Sequence, residues 1–228
     1  MLLYILSGFL IGLLLPAISS RFGKILPADP GTIILQLYHK PHFPKSNNVT
    51  RNRLLHQKWK KLFLSSFLWG ITLSFVFSFA KLYLEPDLAI WGCVLTTIVG
   101  FCFVVDAMYC LLPDFFTIPL LILGFMMSSF TSVLPETSSA LGATFGYLIA
   151  TVSVILLGFS RQVEFGAGDA KMMAAIGAWL GILGLNFALI MSFFFFAIQT
   201  GIQVKRGGAY GPALGIAGLI TFFIIYIK

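Results

Sequence analysis

Residues 171–203 read KMMAAIGAWLGILGLNFALIMSFFFFAIQTGIQ. Lys171 is the only charged side chain among them, and phenylalanine fills positions 193–196. A helix that crosses a bilayer needs about 20 apolar residues, within a range of about 17–25. The run is too long for one crossing, and its glycines offer a place to divide it. Gly181 and Gly184 lie between Met172–Leu180 and Leu185–Val204, which predicts two helices, the first unusually short.

Working outward, similar apolar runs cover residues 1–19, 62–84, 88–109, 115–134, 140–159 and 212–227. With the divided run this predicts an all-α, polytopic membrane helix bundle of eight transmembrane helices. Composition agrees. Of the 228 residues, 58% are apolar and 10% charged, whereas soluble domains run at about 45–50% and about 25%. A soluble fold of this size would leave too much apolar surface in water. The first run has no basic residues before it, and its charges follow, so it reads as a retained span and not a cleaved signal peptide.

The net charge is +7, but its placement argues for topology and against nucleic acid as a partner. Residues 20–61 carry Arg21, Lys24, Lys40, Lys45, Arg51, Arg53, Lys58, Lys60 and Lys61. By the positive-inside rule this segment is cytoplasmic and the amino terminus lies outside. The other cytoplasmic loops then hold Arg161, Lys171, Lys205 and Arg206, which brings 13 of the 15 basic residues to one side. The short outer turns hold Glu85, Asp87 and Glu136. Segment 20–61 contains Pro27, Pro30, Pro41 and Pro44 and little apolar sequence. It reads as a basic cytoplasmic loop against anionic headgroups, within a single membrane-embedded domain spanning 1–228. The three cysteines, Cys93, Cys102 and Cys110, form no CxxC pair, and no Cys/His cluster has zinc-ligand spacing, so no metal site is expected.

Chemistry therefore rests on few residues. Among eight acidic side chains, Asp106, Asp114, Glu164 and Asp169 fall on the cytoplasmic side of this topology. Asp106 ends an apolar span, where a carboxylate is costly unless it is functional or paired. Asp169 follows Gly166 and Gly168 in a GxGD loop whose glycines let a partner approach closely. Its plain structural alternative is a helix N-cap. Two carboxylates held together share a proton. The ionised one activates a water, while the protonated one polarises a peptide carbonyl and then protonates the leaving amine. Asp114, after Pro113, is placed to cap the fourth span. Glu164 has Arg161 and Lys171 as candidate ion-pair partners. No HExxH, GxSxG or nucleotide-binding loop is present.

These residues resemble a known family. Val105 to Leu120, with Asp106 and Asp114 eight apart around Leu112-Pro113, looks like the first signature of bacterial type IV prepilin peptidases. Gly166-Ala-Gly-Asp169 through Gly177-Ala-Trp-Leu-Gly181 resembles the second, and Gly208–Gly215 is similar to the Gly-Pro segment that begins the family's last helix. The resemblance covers about residues 88–228. It implies catalytic roles for Asp106 and Asp169, an active-site loop containing Gly166 and Gly168, and supporting roles for Asp114, Lys171 and Glu164. By the same resemblance the substrates are type IV prepilins or pseudopilins, cut at the cytoplasmic face of the bacterial inner membrane to release a short basic leader. Many members also methylate the new amino terminus and carry paired CxxC motifs in the first cytoplasmic loop. Segment 20–61 has no Cys, so S-adenosylmethionine is expected as a cofactor only if methyl transfer is retained; cleavage needs none. A presenilin or signal-peptide-peptidase-like protease shares the GxGD and the Pro212-Ala213-Leu214 segment, but not the Leu-Pro-Asp and Gly-Ala-Trp-Leu-Gly stretches. A proton-coupled transporter would use acids near the bilayer midplane, not at span ends.

Overall fold

The computed structural model describes residues 1–20, 48–158, 167–202 and 210–228, and among these every regular element is an α-helix. They are α1 (Leu2–Ser19), α2 (Asn48–Tyr83), α3 (Pro86–Tyr109), α4 (Asp114–Phe130), α5 (Glu136–Gly158), α6 (Ala167–Ile202) and α7 (Gly211–Tyr226). Among the described residues, four stretches are long and apolar enough to cross a membrane: Leu2–Ser19, Lys61–Tyr83, Pro86–Tyr109 and Ala167–Gly201. Asp114–Phe130 and Gly211–Tyr226 are shorter apolar helices.

Helix α2 begins at Asn48, well before the apolar run expected to open near residue 62. The reason is compositional. Residues 48–61 lack Gly and Pro and include Arg, Leu, Gln and Lys, good helix formers that carry the helix beyond its apolar part. The remainder of the basic loop, residues 21–47, lies outside the described residues.

The chain forms two compact units, Met1–Phe79 and Ala80–Lys228. In the first, α1 lies against α2 through small residues. A β-carbon on Gly8 would stand 2.8 Å from the Leu73 carbonyl oxygen, and one on Gly12 would strike the backbone of Trp69 and Gly70. Ser74 Oγ donates to the Ile5 carbonyl at 3.0 Å. Close backbone approach through glycines suits a setting where apolar surface alone does not drive helices together.

In the second unit α6 decides the arrangement. Its backbone leaves the helical region at Gly181, with φ 68° and ψ −178°, a conformation that glycine adopts without Cβ strain. The Ala178 carbonyl just before the break accepts from Ser139 Oγ at 2.6 Å, and the Trp179 carbonyl from Tyr226 OH at 3.3 Å. Side chains before and after α6 thus serve polar groups where the helix is interrupted.

The chain folds back at this break. Along a straight helix, Asp169 and Ser192 would lie about 34 Å apart. Yet Ser192 Oγ is 2.6 Å from Tyr210 OH, and Tyr210 lies within electrostatic reach of Asp169. The division expected around Gly181 and Gly184 is therefore present, with the change of direction at Gly181.

Direction follows from the contacts. The first half of α6 runs alongside α7, with Met172 against Gly215 and Ile176 against Gly218. Helix α5 runs antiparallel to that half, with Gly142 against Gly177 and Gly146 against Met173. Trp179 is fully buried, donates Nε1–H to the Leu120 carbonyl at 2.8 Å, and packs on Trp91 and Phe222. The unit thus has two ends. One carries Trp179, Gly181 and Tyr226, together with the exposed Lys228–Glu85 pair at 3.5 Å. The other carries Asp106, Asp114, Asp169 and Tyr210.

Candidate active site

Asp106 sits in the last turn of α3 and is only 4% exposed. The helix ends four residues later at Cys110, which is left-handed (φ 53°, ψ 39°) and returns its N–H to the Asp106 carbonyl at 2.7 Å. This tight end turns the chain through Leu111-Leu112-Pro113 into α4. Pro113, extended at φ −70° and ψ 139°, breaks the helix and starts the next.

Asp169 approaches from α6, in its first turn, where a carboxylate is favoured by the helix dipole. It is half-buried and close enough to Asp106 for the two carboxylates to interact electrostatically. The local sequence explains the approach. Gly168 lies on Leu112, where a β-carbon would stand 2.7 Å from Leu112 Cβ and 2.9 Å from its carbonyl oxygen. A larger residue at 168 would push α6 away from the α3–α4 turn.

The third wall is the start of α7. A β-carbon on Gly211 would lie 2.5 Å from Asp106 Oδ2 and 3.0 Å from Leu112 Cδ1. The Gly211 backbone N–H is directed at the Asp106 carboxylate, but Oδ2 itself has no hydrogen-bond partner among the described residues. A buried carboxylate oxygen left in this way is a functional-site feature, because desolvating it costs free energy that packing does not return. Beside it, burial raises the Tyr210 hydroxyl above its usual range. The Ser192 hydrogen bond pulls the other way, and the Asp169 charge adds to the rise. Tyr210 is thus a neutral phenol near neutral pH.

Asp114 differs from expectation. It is the first residue of α4, Pro113 is the N-cap, and no side chain caps that terminus. Instead Lys171 Nζ donates to both Asp114 carboxylate oxygens at 2.6 Å. Two charge-assisted bonds to an ammonium are stronger than one bond to a helix N–H, which accounts for the choice. Lys171, a candidate partner of Glu164, is thus engaged by Asp114. Glu164, Arg161 and Gly166 lie outside the described residues. Tyr210, Gly211, Leu112 and Ser192 were not singled out individually by sequence reasoning. The signal that could have found the first two was Tyr-Gly-Pro at the head of an apolar helix.

Two carboxylates within electrostatic reach of each other at one end of the second unit, one of them buried, form an arrangement suited to sharing a proton. Residues 93–202, which contain both aspartates, match the Type IV leader peptidase family. The chain is similar to the prepilin leader peptidase/N-methyltransferase of Neisseria gonorrhoeae, 36% identical over 138 residues, covering 58% of this chain and 47% of the relative. The protein of the same name from Dichelobacter nodosus is 34% identical over 130 residues, or 55% and 45%. That of Dickeya chrysanthemi is 32% identical over 165 residues, or 62% and 53%. The chain spans about half the length of the curated relatives it matches. No solved structure matches it.

Proposed function

We propose that this protein is an aspartic endopeptidase that removes the short basic leader of type IV prepilins or pseudopilins, with Asp106 and Asp169 as its catalytic pair. The observation that carries the reading is that Asp169 lies within electrostatic reach of Asp106, whose buried Oδ2 has no hydrogen-bond partner among the described residues, in a stretch that matches the Type IV leader peptidase family. In the mechanism, the pair holds one proton between its two carboxyl groups. The ionised member takes a proton from a water, whose oxygen attacks the scissile carbonyl carbon. The protonated member hydrogen-bonds the carbonyl oxygen as negative charge develops there. Collapse of the tetrahedral intermediate breaks the C–N bond, and the leaving amine takes a proton from the pair.

In this reading the chain is a single peptidase domain that crosses the inner membrane eight times with its amino terminus outside, and the aspartate end faces the cytoplasm. The basic segment 20–61 lies on the same side. Such placement brings a leader on the cytoplasmic side of an apolar substrate helix to the aspartates without drawing basic residues into the bilayer. Gly168 lets the head of α6 lie against Leu112 beside the aspartates, with Gly166 as its proposed partner in the active-site sequence and Glu164 as a supporting acid.

The names of the relatives include N-methyltransferase. S-adenosylmethionine would supply the methyl group in such a reaction. Residues 20–61, the segment expected to take part, lie largely outside the described residues and contain no Cys. We read this chain as a peptidase that does not methylate its product. The test of the main reading is incubation of purified protein with a prepilin in detergent, with the cut site mapped by mass spectrometry. Cleavage after the basic leader supports it. A cut inside the apolar helix, or no cut under conditions where a relative is active, refutes it.

A further inference from the structure

The Asp114–Lys171 pair is left unused by that mechanism, and its position is informative. Asp114 lies eight residues beyond Asp106, across a turn that contains left-handed Cys110 and extended Pro113. Lys171 lies two residues beyond Asp169, in the same helix. Each partner is thus tied to one of the two carboxylates, and the pair bridges the elements that bring them together. Among the described residues near the aspartates, Gly168 also touches Leu112, a contact that resists approach but does little to prevent separation there.

We propose that Asp114 and Lys171 are positioning residues, their ion pair holding the α3–α4 turn against the first turn of α6 and thereby setting the spacing of Asp106 and Asp169. The inference rests on the peptidase reading for what that spacing accomplishes. Both side chains are substantially exposed, at 51% for Asp114 and 36% for Lys171. Exposed pairs add little to overall stability. Losing this one therefore leaves the bundle folded and acts on geometry, to which paired reacting groups are sensitive. The two 2.6 Å bonds from one ammonium fix direction as well as distance.

The experiment uses the full chain in detergent, with Cys93, Cys102 and Cys110 replaced by alanine and with Asp106→Cys and Asp169→Cys introduced. A short bifunctional thiol reagent then reports the separation of positions 106 and 169 without any need for catalysis. Cross-linking yield is expected to fall several-fold on adding Lys171→Met or Asp114→Asn, and to be kept by Lys171→Arg, which preserves charge and two-pronged bonding. In the aspartate-bearing protein, Lys171→Met is expected to lower kcat by about 10-fold or more with KM nearly unchanged, and Lys171→Arg to restore most of it. If Lys171→Met cross-links as the parent does, or if Arg and Met behave alike, the positioning role is wrong. If cross-linking responds as stated but the parent cleaves no prepilin, the positioning role stands and the peptidase reading fails.

Discussion

Gly211 lies directly against Asp106, so close that a β-carbon at 211 would stand 2.5 Å from Oδ2. The contact joins the first residue of α7 to the buried carboxylate at the end of α3. Gly211→Ala should therefore displace either the carboxylate or the head of α7. Alanine has the higher helix propensity, so helix formation itself is not impaired. We expect kcat for prepilin cleavage to fall by about 100-fold, the scale set by a misplacement of about 1 Å, with helix content by circular dichroism unchanged. Near-normal turnover would show that the contact is not needed for catalysis.

Asp106→Asn and Asp169→Asn should each reduce cleavage by about 100- to 10,000-fold, the range spanned by acid–base catalysis. Asparagine keeps the shape of either side chain, so both variants should be extracted from membranes and purified like the parent. Measured single-turnover rates decide the matter. Substantial activity in either variant would remove that residue from the proposed pair.

Gly177 carries a structural prediction. Its position faces the backbone of Gly142 where α5 crosses α6, and a β-carbon on either glycine would strike the other's carbonyl group. Overpacking a tight core costs about 1–3 kcal/mol. Gly177→Ala should lower the midpoint of thermal unfolding in detergent by several degrees, which a tryptophan-fluorescence melt would register through Trp179. An unchanged midpoint would mean that the helices separate without cost.

The absence of Cys from residues 20–61 gives a prediction about product chemistry. A small loop with little apolar sequence and no metal-ligand cysteines has few means of ordering a methyl-donor pocket. Purified protein given prepilin and S-adenosylmethionine should release mature pilin with an unmodified amino terminus. Intact-mass measurement showing one added methyl group would overturn this.

Much of the arrangement could be read from the residues. Apolar length alone marks most of the helices, and Gly181 with Gly184 marks the place where 171–203 divides. Three of the four acids weighed as candidates, Asp106, Asp114 and Asp169, share one end of the second unit. What escaped was of two kinds. The start of α2 at Asn48 was missed because hydropathy reports where a membrane begins and not where a helix begins. The pairing of Asp114 with Lys171 and the contact of Gly211 with Asp106 were missed because both involve neighbours far away in sequence. Asp114 before an apolar helix looks like a cap from local sequence, and only the presence of Lys171, 57 residues later, redirects it. Gly211 before Pro212 looks like an ordinary helix start until Asp106 is found against it.

The turn at Gly181 also bears on how the chain is assembled in the cell. The Trp179 carbonyl beside the turn is met by Tyr226, a hydroxyl synthesised 47 residues later, whereas the Ala178 carbonyl is met by Ser139, already made. While the nascent chain leaves the ribosome, the joint is therefore only partly satisfied, and a continuous helix over Ala167–Ile202, about 54 Å long against a hydrocarbon layer of about 30 Å, is the competing state. Arrival of α7 disfavours that competitor by supplying the Tyr226 hydroxyl to the Trp179 carbonyl and by setting Gly215 and Gly218 along the first half of α6. Before α7 is made, the chain carries both acids but lacks Gly211, the residue that lies against Asp106.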